Sequence, residues 1–219
     1  MKKFKAAVFD MDGTLLDTMY IWRHLAPEYL KKHNVTPPPE LEARMTIMGM
    51  AQAANFLISE FGIKESAEAL HNEMVEILAD YYRYHSVFKP GTEEFLQKLQ
   101  AKNVPALIFS ATPLELVQIA MEKLDAAKYF SHGLLSCSTI KCAKNKPEAF
   151  FIAAETLGSA PEDTIIFEDA WYAASTAKSA GFPLCVMHDI YDSHPTEMKE
   201  IADWYIHHDW KEFPIDDVF

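Results

Sequence analysis

No stretch of this 219-residue chain comes near the ~20 consecutive apolar residues that a membrane-spanning helix needs, so no membrane segment is expected. The opening MKKFKAAVFDMDG starts with basic residues as a secretory leader does, but its apolar run stops at Phe9 and acids follow at once; no leader is expected either. Basic clusters are also missing. Nothing longer than Lys2-Lys3 or Lys31-Lys32 occurs and the formal net charge is -12, which argues against nucleic acid or an anionic membrane surface as partner. A small anionic substrate stays compatible with that charge if a bound cation inverts the local field. Cysteine is scarce: Cys137, Cys142 and Cys185 are odd in number and lack Cys-x-x-Cys spacing, so they read as reduced thiols of a cytoplasmic protein. The histidines show no paired ligand spacing, and His207-His208-Asp209 reads as a polar strand end rather than a metal trio.

What is present is ordinary globular material, about half apolar with both signs of charge interspersed. Five short apolar runs stand apart: AAVFD (6–10), PALIFS (105–110), HGLLSC (132–137), TIIFED (164–169) and PLCVMH (183–188). Near-continuous apolarity suits strands buried on both faces of a parallel sheet. Helical stretches separate most of them, two closing on Gly158 and Gly181 as residues just past a helix end. The alternation predicts an α/β fold, a doubly wound, mostly parallel, Rossmann-like sheet. Between Leu16 and Val87 the rhythm breaks. Apolar residues there recur at helical spacing, as in Leu70, Met74, Ile77, Leu78 and Tyr81, and VTPPPE (35–40) reads as a stiff turn between helices. The expected organisation is a core of 1–17 and 86–219 with an all-helical cap of 18–85 over the end of the first strand.

The stretch FDMDGTLLDT has two readings. Asp12-Gly13 is a strong signal for a tight hairpin, or else Asp10 and Asp12 end a buried strand and face a reaction. The hairpin lacks a partner strand, because MYIWRHLAPEYLKKH follows and is helical in pattern. In doubly wound sheets ligands bind beyond the carboxyl ends of the strands. There this sequence places Asp10 and Asp12 after the first run, Ser110 after the second, and Glu168-Asp169 after the fourth. Gathered carboxylates repel one another unless a cation sits among them, and a hard oxygen-seeking ion such as Mg2+ suits the purpose. In SATPLE, Thr112, Pro113 and Glu115 form a capping-box pattern, so Ser110 and Ala111 fall just ahead of a helix N-terminus, either an anion site or a plain strand-to-helix turn. In AKNKPEAF, Lys144 or Lys146 precedes a helix starting near Pro147; either alone reads as a surface charge. Together these residues compose a phosphoryl-transfer site.

In this order they resemble the haloacid dehalogenase superfamily of phosphohydrolases, whose four signatures span the chain. FDMDGTLLDT is similar to its first motif, Asp-x-Asp-Gly-Thr, and FEDAWYAASTAKSAG to its fourth, with Ala170 and Ala173 in place of the usual Ser and Gly. KNKPEAF matches the third without a gap when Lys144 takes the catalytic place, while Lys146 also precedes a proline. The resemblance implies Asp10 as nucleophile and Asp12 as general acid and base. It also implies Ser110, Ala111 and Lys144 as phosphate binders, Asp10, Asp12 and Asp169 as ligands of Mg2+, and Glu168 in support. It further implies a cap of the β-phosphoglucomutase and phosphoglycolate phosphatase kind. The expected activity is hydrolysis of a small phosphorylated metabolite by a monomer, with a sugar phosphomutase or a catalytically silent binding protein as alternatives. Arg44, Lys64, His71, Arg83 and His85 are the candidate selectors in the cap.

Overall fold

The structure, a computed structural model, describes residues 3–45 and 48–219. Lys2 of the basic pair, and Met1, Thr46 and Ile47 of the expected domain ranges, lie outside the described residues.

Strand β1 (Ala6–Phe9) is buried along its whole length. Four helices follow: α1 (Met19–Lys32), α2 (Leu41–Met45), α3 (Met50–Phe61) and α4 (Ala67–His85). The chain then alternates α5 (Thr92–Ala101), β2 (Ala106–Ser110), α6 (Leu114–Lys123), β3 (Leu134–Ser136), α7 (Cys137–Ile140), α8 (Pro147–Thr156) and β4 (Thr164–Glu168). It ends with α9 (Trp171–Ser179), β5 (Leu184–Met187), α10 (Pro195–Ile201), β6 (Trp204–Ile206) and α11 (Ile215–Val218). The strands form one six-stranded sheet in the order β3-β2-β1-β4-β5-β6, every neighbouring pair parallel. This is the doubly wound arrangement, and it leaves β1 and β4 side by side where the order reverses. The expected fold class is the observed one, and five of its strands coincide with the five apolar runs. The sixth, β6, is a three-residue edge strand too short to show a pattern, and His207-His208-Asp209 directly follows it.

Alternate residues of each strand face opposite layers. Ala7, Phe9, Ile108, Ile165 and Phe167 join one apolar cluster, Ala6, Val8, Leu107, Phe109 and Ile166 the other. On the first face Phe9 and Phe167 stack at 4.5 Å, with Phe95, Trp210 and Phe213 edge-on or tilted around them. The residues that follow Phe9 and Phe167 are Asp10 and Glu168, so this aromatic block is the floor on which the acids stand.

Helix α4 packs on α3 and on α6. Its buried stripe is Leu70, Met74, Leu78 and Tyr82, which corrects the expected stripe: Ile77 is exposed and Tyr81 only half-buried. Steps of four residues overshoot the 3.6-residue turn, so the buried face rotates along the helix and follows its changing neighbours. The two connections to this helical segment lie side by side. Asp17 N donates to Val87 O at 3.0 Å and Lys89 N to Leu15 O at 2.9 Å, making a short antiparallel bridge.

Phe167→Ala would empty the centre of the aromatic block, and urea denaturation should show a loss of about 3–5 kcal/mol in unfolding free energy.

Candidate active site

Asp10 and Asp12 follow β1, and Gly13 turns the chain. Gly13 has φ +81°, and a Cβ there would stand 2.1 Å from Asp169 Oδ2 and 2.8 Å from Met19 Cγ, so both conformation and space demand glycine. From β4 come Glu168 and Asp169. Asp10 N donates to Phe167 O at 2.9 Å, which fixes Asp10 beside Glu168. Lys144, just ahead of α8, reaches between them: its Nζ donates to Asp10 Oδ1 and, at 2.7 Å, to Glu168 Oε1. The lysine is only 2 % exposed, whereas Lys146, the residue before Pro147, is on the surface. Glu168 Oε2 accepts from Asp169 N at 2.9 Å and Ala170 N at 3.0 Å, so Ala170 contributes through its backbone. Asp169 Oδ1 accepts from Thr14 at 3.0 Å.

Asp10, Glu168 and Asp169 each offer an oxygen such that the three lie within 4.8 Å of one another, all buried. Three buried carboxylates with one lysine leave excess negative charge. Burial, then Glu168 and Asp12, push the Asp10 carboxyl up to about 7 against the pull of Lys144. Burial followed by repulsion from Asp10 and Glu168 raises Asp169 well above the usual carboxylate range. Burial alone would lower Lys144, but Asp10 and Glu168 outweigh it and hold the ammonium above the usual lysine range. An all-oxygen, net-negative, buried donor set of this kind fits a hard divalent cation such as Mg2+.

The carboxylate of Asp12 is not in that trio. Its Oδ1 accepts from Thr18 and from Tyr82, each at 2.6 Å, and its Oδ2 from Thr112 at 2.7 Å. Here the structure corrects the expected capping box. Pro113, with ψ 139°, is the last extended residue and α6 starts at Leu114, so the Thr112 hydroxyl is free of the helix end and binds Asp12 instead. Ser110, 1 % exposed, and the exposed Ala111 sit in the turn between β2 and α6, where Ser110 Oγ accepts from Thr112 N at 3.1 Å.

The structure does not bring the expected cap selectors to these carboxylates. Arg44 pairs with Glu60 and covers the Phe56 ring, Arg83 pairs with Asp80, the His71 ring meets Asn72, and Lys64 and His85 are on the surface. Thr14, Thr18, Thr112 and Tyr82 take their place as side chains touching the site. The three cysteines are free, and Asp209 accepts from Lys211 N while His207 N and His208 N donate to Glu212, a closed turn and not a metal group.

Residues 4–181 match the family described as haloacid dehalogenase-like hydrolase. The chain belongs to this family. Among relatives, it is 27% identical over 198 residues to a phosphorylated carbohydrates phosphatase of Thermotoga maritima, covering 86% of this chain and 88% of that one. Among solved structures, a haloacid dehalogenase family IA hydrolase of Entamoeba histolytica superposes with a TM-score of 0.79 at 18% identity, covering 97% of this chain and 96% of that one. A β-phosphoglucomutase of Clostridium difficile superposes with a TM-score of 0.73 at 20% identity, over 94% and 91%. The acids stand at the ends of β1 and β4, the two strands flanking the switch point. No helix among the described residues of this haloacid dehalogenase-like hydrolase is long and apolar enough to cross a membrane.

The raised Asp10 carboxyl sets a pH test. An acid at 3.8 unfolded and about 7 folded binds its proton more tightly in the native state, so its contribution to stability is full below pH 4 and is lost as pH rises towards 7. A cation competes with that proton. Thermal melts should therefore show a larger stabilisation by Mg2+ at pH 8 than at pH 6, reaching about 2.7 kcal/mol at a hundredfold excess over the dissociation constant.

Proposed function

We propose that this chain is a Mg2+-dependent phosphatase of small phosphorylated metabolites, working as a cytoplasmic monomer, with residues 18–85 as the cap that shields the reaction and selects the alcohol. The observation that carries the reading is the buried trio Asp10, Glu168 and Asp169 with Lys144 bridging two of its members and Asp12 two residues from the first. The phosphatase named for the Thermotoga maritima relative supports the substrate class. The free thiols suit a reducing compartment.

A carboxylate approaches a phosphate dianion only when charge on both is neutralised. Mg2+ held by Asp10, Asp169 and the Asp12 segment, with Glu168 in support, would supply that neutralisation to the phosphate oxygens. Lys144 adds a second positive charge and restrains Asp10 through Oδ1. Asp10 then takes the phosphoryl group while the ester oxygen leaves with a proton from Asp12. In the second half Asp12 removes a proton from the water that opens the aspartyl phosphate, which frees phosphate and restores Asp10. Ser110 and Ala111, ahead of α6, would bind the phosphate oxygens, with the helix dipole favouring the anion. The burial of Asp10 and Asp12 would limit the access of water before the leaving group has gone.

A panel of phosphate monoesters, with and without Mg2+, tests the reading. Turnover should need Mg2+, fall by more than about a thousandfold in Asp10→Asn, and fall about 10²–10⁴-fold in Asp12→Ala. Undiminished turnover in Asp10→Asn would sink the proposal. In the same preparation a hexose 1-phosphate followed by NMR should release free phosphate; accumulation of the 6-phosphate would make the chain a mutase.

A further inference from the structure

Tyr82 belongs to none of the sequence signatures, yet it enters the site from the last turn of α4. Its side chain is wholly buried and its hydroxyl donates to Asp12 Oδ1 at 2.6 Å. The same hydroxyl accepts from Trp22 Nε1 of α1 at 3.1 Å. Below it, Ser86 Oγ donates to Tyr82 O at 2.6 Å and fixes the end of the helix that carries the ring. A chain of donors thus runs from Trp22 to Tyr82 to Asp12, and Thr112 closes it from the other side. Packing alone at this position asks for phenylalanine, because a buried hydroxyl without partners is costly. The phenol has one proton and spends it on Asp12.

Counting lone pairs sharpens the point. An ionised carboxyl has roughly four acceptor positions, two on each oxygen. Thr18 and Tyr82 fill both on Oδ1, while Thr112 fills one on Oδ2. The remaining position is on Oδ2. We propose that Tyr82 is a positioning residue for Asp12: with Thr18 it saturates Oδ1, so that Oδ2 carries the proton exchanged with the ester oxygen, and Trp22 holds Tyr82 in place. Three donors from α4, the start of α1 and the turn before α6 remove both torsional freedoms of the Asp12 side chain. Proton delivery thereby depends on where α4 sits. The inference rests on the phosphatase reading for the identity of the proton acceptor.

The test uses Tyr82→Phe, which keeps the ring and removes the hydroxyl, and Trp22→Phe, which removes the donor behind it. kcat/KM is compared for an alkyl phosphate, whose alkoxide needs a proton to leave, and for 4-nitrophenyl phosphate, whose phenolate does not. Tyr82→Phe should lower the alkyl value by about tenfold or more and the aryl value by less than about twofold, a part of the full general-acid contribution. Trp22→Phe should shift the two values in the same direction by a smaller factor. Equal losses on both esters, or no loss on either, would overturn the inference. Hydrogen exchange reads the same link without turnover. In Tyr82→Phe the amides of residues 10–18 and 82–89 should exchange about fivefold faster or more as the tie between α4 and Asp12 is lost; unchanged rates there would also overturn it. A wild-type protein inactive on every ester would strike the phosphatase reading alone, and the exchange rates would still decide the role of Tyr82 in holding Asp12.

Discussion

One lysine among three buried carboxylates is the constraint on which the rest of the molecule depends. Lys144 contacts Asp10 and Glu168 directly, and Asp169 stands close enough to share an ion with both. Buried charge is tolerated only when paired, and a single ammonium cannot pair three acids. The imbalance is built in rather than accidental. It gives the site a donor set that fits a small hard divalent cation. The overall charge of -12 would repel a phosphate dianion from most of the surface.

The sheet holds these opposing charges together. Parallel strands carry their carboxyl ends to one edge, and the order β3-β2-β1-β4-β5-β6 places β1 next to β4 at the reversal. Because Phe9 pairs with Phe167 in register, Asp10 and Glu168 are adjacent by backbone geometry. The stacked rings beneath them resist any relaxation that would let the acids move apart. Apolar packing therefore offsets the electrostatic cost of the site, and the two cannot be altered separately. Asp12 is treated differently. Three hydroxyl donors hold its carboxylate, and it stands apart from the trio.

Much of this was legible in the sequence where the signal is local. The strands of the buried sheet show as unbroken apolar runs, and Gly158 and Gly181 each sit one residue past a helix cap with positive φ, as their spacing indicates. What stayed hidden depends on the third dimension. Lys144 and Lys146 stand two residues apart; the ungapped motif match favours Lys144, and Lys144 is the one that is buried. Thr112 carries a complete capping pattern, but the extended Pro113 delays α6 and a carboxylate far away in sequence takes the hydroxyl. Helical periodicity puts Tyr81 in the apolar stripe of α4 and passes over Tyr82. The stripe rotates along α4, so the residue that reaches the site is the neighbour of the one that periodicity selects. The grouping of Glu168, rather than the Asp12 side chain, with Asp10 and Asp169 likewise follows from strand register.

The paired connections at Leu15 to Asp17 and Val87 to Lys89 have a consequence for how the chain is assembled. Because these two strips bond to each other, the long excursion through α1 to α4 begins and ends at the same place. The sheet meets it as a loop already shut, whose closure entropy grows only slowly with length. Strands β1 and β2 pair in parallel across this closed excursion. The excursion is also tied back to the sheet by side chains, since Thr18 at its start and Tyr82 near its end both donate to Asp12, so its helices can change only where those two residues keep their place.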